Sequence, residues 1–330
     1  MNRQMNIRIK KIARYVRSFF RLFRGIIING IIRQGYRKEM PTVIIIEPTN
    51  VCNLKCSCCP HGNIRQTDGR KQGFMSRETF LKVLSNIDIP LKEICLYLHG
   101  EPFLNKDLDF FVSQADKLIK GIITIYSNGY DMDMELLKKT LKYKKTRFSF
   151  SMDISNKGNY EQIRKPANYE KALESLSAID AVFAENNRKY ELTMIADEDI
   201  DEQNAVNRLF AQYKQLRKVS FGSKFPWPEH FYTGNLEEHI VKKRNTCMQI
   251  TGGASVFWTG EVSICSYDFS GKLVIGNLAD AVLSEIYNSP QAREIRKRHF
   301  LRQWNKIPVC KNCLLTRFTN KKTSFNRPKK

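Results

Sequence analysis

Three cysteines follow a strand-like stretch near the beginning of the chain. Val43–Ile46 consists of four β-branched residues, and Cys52, Cys56 and Cys59 come soon after it in a Cys-x3-Cys-x2-Cys pattern. A [4Fe–4S] cube normally takes four thiolates, one per iron, so three thiolates leave one iron open. A structural zinc site instead needs four ligands, usually from Cys-x2-Cys pairs. The spacing therefore predicts a cluster with an open iron, held by a loop after a strand.

This spacing resembles the cluster loop of the radical S-adenosylmethionine (radical SAM) enzymes. In that family the open iron chelates the amino and carboxylate groups of SAM. The resemblance therefore implies that Cys52, Cys56 and Cys59 ligate a [4Fe–4S] cluster and that SAM is its cosubstrate. The residue before the last cysteine is often aromatic in the family and is Cys58 here. We interpret Cys58 as a small apolar filler.

From Pro41 onward, short β-rich runs alternate with helical stretches. Six runs are predicted as strands, near residues 43–48, 93–98, 121–126, 147–152, 190–196 and 218–222. The predicted N-caps of the helices are Ser76, Asp107, Asp133 and Asp201. Six βα units with right-handed crossovers predict a parallel α/β sheet. The pattern is similar to the partial (β/α)6 TIM-like barrel of the radical SAM family, over residues 41–225.

The run HGEP at residues 99–102 follows the second predicted strand. In parallel barrels the reactive groups lie at the carboxyl ends of the strands. The run resembles the Gly-Gly-Glu motif of the family, with His99 in place of the first glycine. The resemblance implies that Gly100 lets the backbone approach SAM and that Glu101 receives the SAM ammonium group. For His99 we expect a structural role beside the turn.

Polar residues also end the third and fourth predicted strands. The resemblance implies that Ser127, Asn128, Ser151 and Asp153 contact the methionine part and the ribose of SAM. Helix capping or turn formation is the alternative role for each of them. Arg164 either faces the cofactor or an anionic substrate, or it forms a surface salt bridge.

A second set of cysteines lies nearer the C-terminus: Cys247, Cys265, Cys310 and Cys313. A hairpin-like turn around Gly260 is predicted between the first two, and a helix is predicted over 279–299. Four thiolates can close either a zinc tetrahedron or a full cluster. The arrangement resembles the Twitch domain, the shorter form of the SPASM extension, and implies one auxiliary [4Fe–4S] cluster. Zinc stays open as the alternative at this site.

The chain is predicted to contain five segments. These are a basic amphipathic helix (1–40), the barrel (41–225), a linker (226–246), a small cysteine-rich β-hairpin/helix domain of the Twitch/SPASM type (247–318) and a basic tail (319–330).

Charge is the second unusual property of the sequence. The formal net charge is +22, and residues 1–40 hold eleven Lys or Arg against one acidic residue, Glu39. In that segment basic residues recur at helical spacing opposite apolar ones such as Ile12, Val16 and Phe19. Such a helix can dock on the barrel, or it can make peripheral contact with an anionic membrane through residues 5–37. Nucleic acid is not expected as a partner, because no binding motif is visible.

The sequence also indicates where the protein works. No secretory signal is visible, and the cysteine spacings are typical of metal sites rather than disulfides, which implies a reducing compartment. The longest clean apolar stretch, Gly25–Ile32, is far shorter than the roughly 20 residues that a bilayer requires. We therefore predict a cytoplasmic protein, either free or peripheral at the inner face of the membrane.

The resemblance implies reductive cleavage of SAM to a 5′-deoxyadenosyl radical that abstracts a substrate hydrogen atom. A reductant such as flavodoxin or ferredoxin would supply the electron. An auxiliary cluster can accept an electron, which favours a radical SAM oxidoreductase that dehydrogenates a sugar or aminocyclitol alcohol. Epimerisation is the second possibility, in which a spare thiol, Cys58 or Cys95, returns hydrogen. The basic ends suggest a small-molecule or carbohydrate substrate that is anionic or lipid-linked.

Two functions of other kinds stay open. Many SPASM relatives modify peptides or proteins, although the residues ahead of Pro41 are too few for the usual peptide-recognition domain. The other alternative is a non-enzymatic iron–sulfur or zinc protein at a membrane surface, which would not turn SAM over.

Overall fold

The structure is a computed structural model that describes residues 40–63, 69–195, 201–222, 247, 249–311, 313 and 323–328. Its strands are β1 (Val43–Ile46), β2 (Glu93–Leu96), β3 (Ile122–Ser127), β4 (Thr146–Ser151), β5 (Tyr190–Ile195), β6 (Leu216–Gly222), β7 (Gly253–Val256), β8 (Glu261–Ser263), β9 (Val274–Asn277) and β10 (Thr323–Asn326). The first six confirm the six predicted strands, with ends shifted by up to two residues.

The described helices lie mostly between these strands. They are α1 (Pro60–Asn63), α2 (Arg77–Ser85), α3 (Leu108–Leu118), α4 (Met134–Leu141), α5 (Lys157–Ile163), α6 (Tyr169–Glu185), α7 (Glu202–Gln212), α8 (Gln249–Gly252), α9 (Leu283–Tyr287), α10 (Pro290–Phe300) and α11 (Pro308–Lys311). Short 3₁₀ helices cover Pro102–Leu104 and Trp304–Lys306.

All ten strands belong to one sheet, in the order β10-β6-β5-β4-β3-β2-β1-β7-β8-β9. Strands β1 to β6 are parallel neighbours, as in an open partial barrel. Strand β7 pairs in parallel with the other edge of β1, with Val43 opposite Gly253. The C-terminal cysteine-rich region therefore continues the sheet of the barrel.

The helix starts follow the predicted capping chemistry. Ser76, Asp133 and Asp201 each accept a hydrogen bond from the amide three residues later, which satisfies one of the donors that a helix start leaves unpaired. Asp107 also precedes its helix but makes no such bond. Its carboxylate instead accepts from Arg77 Nε at 2.7 Å.

Two parts of the C-terminal region differ from the prediction. The helix predicted over 279–299 is two helices, α9 and α10, because Ser289 caps α10 and Pro290 occupies its first turn. A proline there lacks the N–H that would continue the preceding helix. Within the predicted basic tail, Thr323–Asn326 forms β10, which pairs antiparallel with β6.

Some predicted features lie outside the described residues. These are the N-terminal helix before Met40 and the linker over 226–246. Within the described ranges, no helix combines the length and the apolar character needed to cross a bilayer.

Alternation along the strands separates two faces of the sheet. On the face that the barrel helices cover, Ile44, Ile46, Ile94 and Leu96 are fully buried. The inner face is more polar. There Glu93 accepts a hydrogen bond from the Thr124 hydroxyl, and the rings of Tyr97 and Tyr126 lie 4.5 Å apart, just beyond Cys95 along the strands. This face leads towards the candidate site at the carboxyl ends of the strands.

Candidate active site and metal centres

The first cysteine loop runs from β1 to α1. Cys59 ends the loop, donating from its amide to the Cys56 carbonyl at 3.0 Å, and Gly62 N donates to the Cys59 carbonyl at 3.0 Å. Burial, followed by the nearby carboxylate of Glu101, raises the pKa of Cys52 to about 12, and the Cys56 thiol adds to this shift. Burial and the neighbouring thiols, including Cys56 and Cys52, also raise the pKa of Cys59. The three thiols therefore lie close enough to influence one another's ionisation.

An iron–sulfur cluster suits this donor set. None of the nine cysteines, all of which are described, forms a disulfide bond. Among the residues that the structure describes, no group of three or more His, Cys, Asp or Glu side chains is arranged to hold a single metal ion. A cube takes each thiolate at a different iron, so it does not require such a tight group.

A buried ion pair lies against this loop. Asp153 Oδ2 accepts from Arg164 Nε at 2.6 Å, and the two side chains are 0% and 12% exposed. Arg164 Nη1 lies 3.8 Å from Cys56 Sγ. Burial alone would lower the pKa of Arg164, but the charges of Asp153 and Cys56 raise it. The surface salt bridge considered for Arg164 is thus wrong, because the pair is buried and places a cation beside a predicted cluster ligand.

Glu101 is a buried carboxylate at the end of β2. It accepts hydrogen bonds from Ser127 Oγ at 2.8 Å, from the Asn128 amide at 2.7 Å and from the Phe103 amide at 3.2 Å. Burial nevertheless raises the pKa of Glu101 to about 7. No cationic side chain among the described residues pairs with it. A buried carboxylate of this kind fits the ammonium group of SAM, which would supply the missing positive charge.

Gly100 has a packing role within the protein. A Cβ atom there would lie 2.3 Å from the Thr49 carbonyl oxygen and 2.6 Å from that of Val51. The Glu101 amide donates to the same Val51 oxygen at 2.9 Å. The glycine therefore lets the turn after β2 pack against the backbone of the cysteine loop, and this packing aims Glu101.

Two of the other residues predicted to contact SAM, Asn128 and Asp153, have hydrogen-bond partners within the protein, whereas Ser151 has none among the described residues. Asn128 Nδ2 donates to Asn53 Oδ1 at 2.8 Å and lies 3.9 Å from Cys52 Sγ, which ties β3 to the cysteine loop. Asp153 is fully engaged by Arg164 and the Ile195 amide. The half-buried hydroxyl of Ser151 makes no hydrogen bond within the described residues. The hydroxyl of Ser151, the last residue of β4, is therefore open to a ligand.

The second cysteine set also converges. Burial, together with the thiols of Cys310, Cys247 and Cys313, raises the pKa of Cys265. The loop after Cys265 is shaped by Asp268, which accepts from the Leu273 amide and from Ser263 Oγ, both at 2.8 Å. Gly260, with φ +88°, forms the predicted hairpin turn between β7 and β8. Cys247, Cys310 and Cys313 thus all lie near Cys265, and the Cys313 amide donates to the Cys310 carbonyl at 3.2 Å.

Comparison with known proteins gives two family matches. The model of the radical SAM superfamily matches residues 46–209, and that of an iron–sulfur cluster-binding domain, SPASM, matches residues 247–314. The chain belongs to the radical SAM superfamily. A radical SAM enzyme with a SPASM-type domain carries a SAM-binding [4Fe–4S] cluster and auxiliary iron–sulfur chemistry. Iron–sulfur rather than zinc is thereby supported at the second site, and the non-enzymatic alternative is wrong.

Two curated relatives are similar in sequence to this radical SAM enzyme. An S-adenosyl-L-methionine-dependent 2-deoxy-scyllo-inosamine dehydrogenase from Niallia circulans is 21% identical over 276 residues, covering 82% of this chain and 92% of the relative. A GTP 3′,8-cyclase from Aliarcobacter butzleri is 27% identical over 138 residues, 42% of each chain.

Solved structures share the fold. BtrN in complex with AdoMet and 2-DOIA matches with a TM-score of 0.57 at 18% identity, covering 84% of this chain and 94% of BtrN. Native anSMEcpe with bound AdoMet matches with a TM-score of 0.59 at 18% identity, covering 82% and 89%. SuiB from Streptococcus suis gives 0.53 at 12% identity, covering 89% and 78%. These likenesses confirm the predicted partial barrel with its C-terminal extension.

Sequence reasoning missed a charged network between the barrel and the SPASM-type domain. Glu47, fully buried after β1, accepts two hydrogen bonds from Arg70, both at 2.8 Å. Arg70 also donates from Nε to the Phe269 carbonyl at 3.1 Å, and Arg70 Nη2 lies 3.0 Å from His99 Nδ1. A charged residue directly after an apolar strand, as at Glu47, is the one signal in the sequence that could have indicated it.

Proposed function

We propose that this radical SAM enzyme dehydrogenates a hydroxyl-bearing small molecule of the sugar or aminocyclitol type. The observation that carries the proposal is the contact between the loop after β2 and the second cysteine set, where His99 Nε2 lies 3.0 Å from the carbonyl oxygen of Ser266, the residue after Cys265. Burial, then the thiols of Cys265, Cys313 and Cys247, raises the pKa of Tyr267 to about 12. Tyr267 in turn adds to the raised pKa of Tyr97, whose largest cause is burial. An electron acceptor at these thiols would therefore lie beside the loop after β2, which holds Glu101.

The residues at the strand ends would hold SAM. Cys52, Cys56 and Cys59 ligate the first cluster, and Glu101 receives the ammonium group of SAM. Ser127 and Asn128 orient Glu101 through their hydrogen bonds to it. The hydroxyl of Ser151 is open to SAM, whereas Asp153 acts by fixing Arg164.

The chemistry that follows is a two-electron oxidation. When bound, SAM and the first cluster supply a 5′-deoxyadenosyl radical that takes a hydrogen atom from the substrate, and an auxiliary cluster supplies an acceptor for the next electron. For a secondary alcohol, the C–H hydrogen atom leaves first, and loss of one electron and the hydroxyl proton then forms the carbonyl group. The protein's residues bind the substrate, orient one C–H bond and exclude water.

Epimerisation needs a hydrogen donor on the other side of the substrate. Cys95 faces the inner side of β2, two residues before Tyr97, so the Tyr97 ring lies between this thiol and the strand ends. Burial, with the nearby Glu93 carboxylate, raises the pKa of Cys95 and keeps it a thiol. Because Cys95 lies deep in the barrel, it is poorly placed to donate a hydrogen atom to the substrate, which favours dehydrogenation over epimerisation.

Peptide modification is the second candidate. The observation in its favour is the fold likeness to anSMEcpe, which has been solved with AdoMet and the Cp18Cys peptide, and to SuiB, which has been solved with its precursor peptide SuiA. The dehydrogenase relative is favoured because its match extends over 92% of its own length.

The test uses the anaerobically reconstituted enzyme with SAM and a reductant such as flavodoxin. Candidate substrates are 2-deoxy-scyllo-inosamine, other aminocyclitols, free sugars and short peptides, each run in H₂O and in D₂O. Dehydrogenation predicts a product two mass units lighter, with one 5′-deoxyadenosine released per product. Uptake of one solvent deuterium with no loss of mass in H₂O would instead indicate epimerisation. Turnover with peptides alone would overturn the proposal.

A double variant tests the role of the second cysteine set separately from that of the first. Cys265→Ala with Cys310→Ala removes two thiols from the second set and leaves the first loop intact. We expect this variant to cleave SAM but not to form the oxidised product. Normal product formation by this variant would contradict the role proposed for the second centre.

A further inference from the structure

The amino-terminal end of the barrel, opposite the candidate active site, has an unusual charge. It is formed by the five turns that lead into β2 to β6, namely residues 86–92, 119–121, 142–145, 186–189 and 213–215. By sequence these turns hold eight Lys or Arg and one acidic residue, Asp88. We call these five turns the basal face.

The cations of the basal face are accessible. Lys92, Lys120 and Lys144 are exposed, and their ammonium groups make no hydrogen bond or ion pair with the described residues. A concavity of about 360 Å³ opens on the same face, and its lining residues include Arg147 and Lys189 but no acidic residue. The face can therefore hold several anionic groups at once.

Three loops at the other end of the barrel carry the opposite charge. They follow β2, β3 and β4 and are residues 97–107, 128–133 and 152–156. By sequence they hold five Asp or Glu and one basic residue, Lys106. An anionic plane therefore attracts the basal face and repels these three loops.

Both ends of the described chain lead to the basal face. Met40 precedes β1, so the strongly basic residues 1–39 join the barrel at this end. Strand β10 runs antiparallel to β6, and the Arg327 amide donates to the Arg217 carbonyl at 2.8 Å, so Lys329 and Lys330 also follow from here. Both chain ends are therefore connected to the barrel at its basal face.

We propose that the basal face is a docking surface for an anionic lipid bilayer. The apolar residues that recur between the basic ones in the N-terminal segment, such as Ile12, Val16 and Phe19, fit a lipid surface, which takes up apolar side chains along with cations. A nucleic acid would use the charge alone. In this orientation the active site opens away from the bilayer, so the substrate arrives from the aqueous side and is not lipid-linked.

The test is sedimentation of the full-length protein with vesicles of phosphatidylcholine containing 30% phosphatidylglycerol, and with vesicles of phosphatidylcholine alone. The basal variant carries Lys92→Glu, Lys120→Glu and Lys144→Glu. Each Lys near an anionic surface contributes about 1 kcal/mol, so we expect the partition coefficient to fall about a hundredfold or more. The control variant, with Lys106→Glu, Lys297→Glu and Lys306→Glu, has the same net charge and should bind nearly as the wild type does.

Each other outcome overturns the proposal. An equal fall of the partition coefficient in both variants would mean that net charge alone drives vesicle binding. An unchanged partition coefficient of the basal variant would assign vesicle binding to the N-terminal segment instead. Absence of binding to the anionic vesicles would also contradict it, as would tighter binding to a single-stranded RNA of random sequence at the same salt. Vesicle binding does not require SAM or substrate, so this test is independent of the proposed reaction.

Discussion

The imidazole of His99 donates a hydrogen bond from Nε2 to the carbonyl oxygen of Ser266 at 3.0 Å. Ser266 directly follows Cys265, and the carbonyl oxygen of His99 is in hydrogen-bond contact with His61, two residues after Cys59. A single residue therefore joins the loops of both cysteine sets. The structural role that the sequence predicted for His99 is thus to hold these two loops together.

The two ring nitrogens of His99 can be tested separately. In His99→Gln the side-chain amide reaches the place of Nε2 and can still donate to Ser266, whereas in His99→Asn it replaces only Nδ1. We expect the Asn variant to be destabilised by about 1–3 kcal/mol and to show an altered EPR spectrum of the reduced auxiliary cluster. The Gln variant should keep the wild-type spectrum. Identical spectra for the two variants would contradict a positioning role.

The pair of Glu47 and Arg70 is expected to matter for stability. Loss of one partner leaves a buried charge, so Arg70→Met should lower the free energy of unfolding by about 3–5 kcal/mol. The double variant Glu47→Leu/Arg70→Met should lose much less than the sum of the two single losses. Anaerobic equilibrium unfolding in denaturant measures this coupling. Additive losses would show that the two side chains act independently.

The same pair predicts a dependence on pH. Burial would raise the pKa of Glu47, but hydrogen bonds from His99 and Arg70 and the charge of Arg70 lower it from 4.5 to about 2. The folded state thus binds the proton less tightly than the unfolded state does. The stabilisation is complete above the ordinary pKa and is lost as the pH falls from about 4.5 towards 2. Unfolding of Glu47→Gln should lack this loss.

The alternation of β-rich and helical runs predicted the barrel well, because the strands β1 to β6 are largely buried and several barrel helices begin with a capping residue such as Ser76 or Asp133. The positions of the motifs after successive strands also indicated that Glu101, Ser127 and Asn128 lie close together, as they do in the structure. The contacts of Arg70 could not be predicted, because they join residues nearly 200 positions apart, such as Phe269. The ion pair between Asp153 and Arg164 could not be predicted for the same kind of reason, since only the folded chain shows it.

Glu101 predicts how SAM binding depends on pH. Burial raises its pKa to about 7, so the empty site loses its carboxylate charge as the pH falls below 7. We expect SAM affinity to rise between pH 6 and pH 7.5 in the wild type. Glu101→Gln should bind SAM about 10–100-fold more weakly, since a charged hydrogen bond is lost, with little change over this range. Equilibrium dialysis with labelled SAM checks both points, and a rise of equal size in the Gln variant would exclude Glu101 as its source.

Arg164 is expected to set the reduction potential of the first cluster. Its Nη1 lies 3.8 Å from Cys56 Sγ, and a cation there favours the more negative, reduced state. Arg164→Gln should lower the potential by on the order of 50 mV, which corresponds to about 1 kcal/mol for one electron. Arg164→Lys keeps the positive charge, so its reduction potential should stay close to that of the wild type. An EPR-monitored redox titration measures the shift, and equal potentials in the wild type and the Gln variant would contradict this role.

Metal content and SAM cleavage together test the central claim that this radical SAM enzyme uses two separate clusters. The reconstituted full-length protein should hold about eight irons and release 5′-deoxyadenosine from SAM when dithionite is added. A Cys52/Cys56/Cys59→Ala variant should keep about four irons and release none. A wild-type protein with about four irons and one zinc, or a triple variant that still releases 5′-deoxyadenosine, would contradict the account.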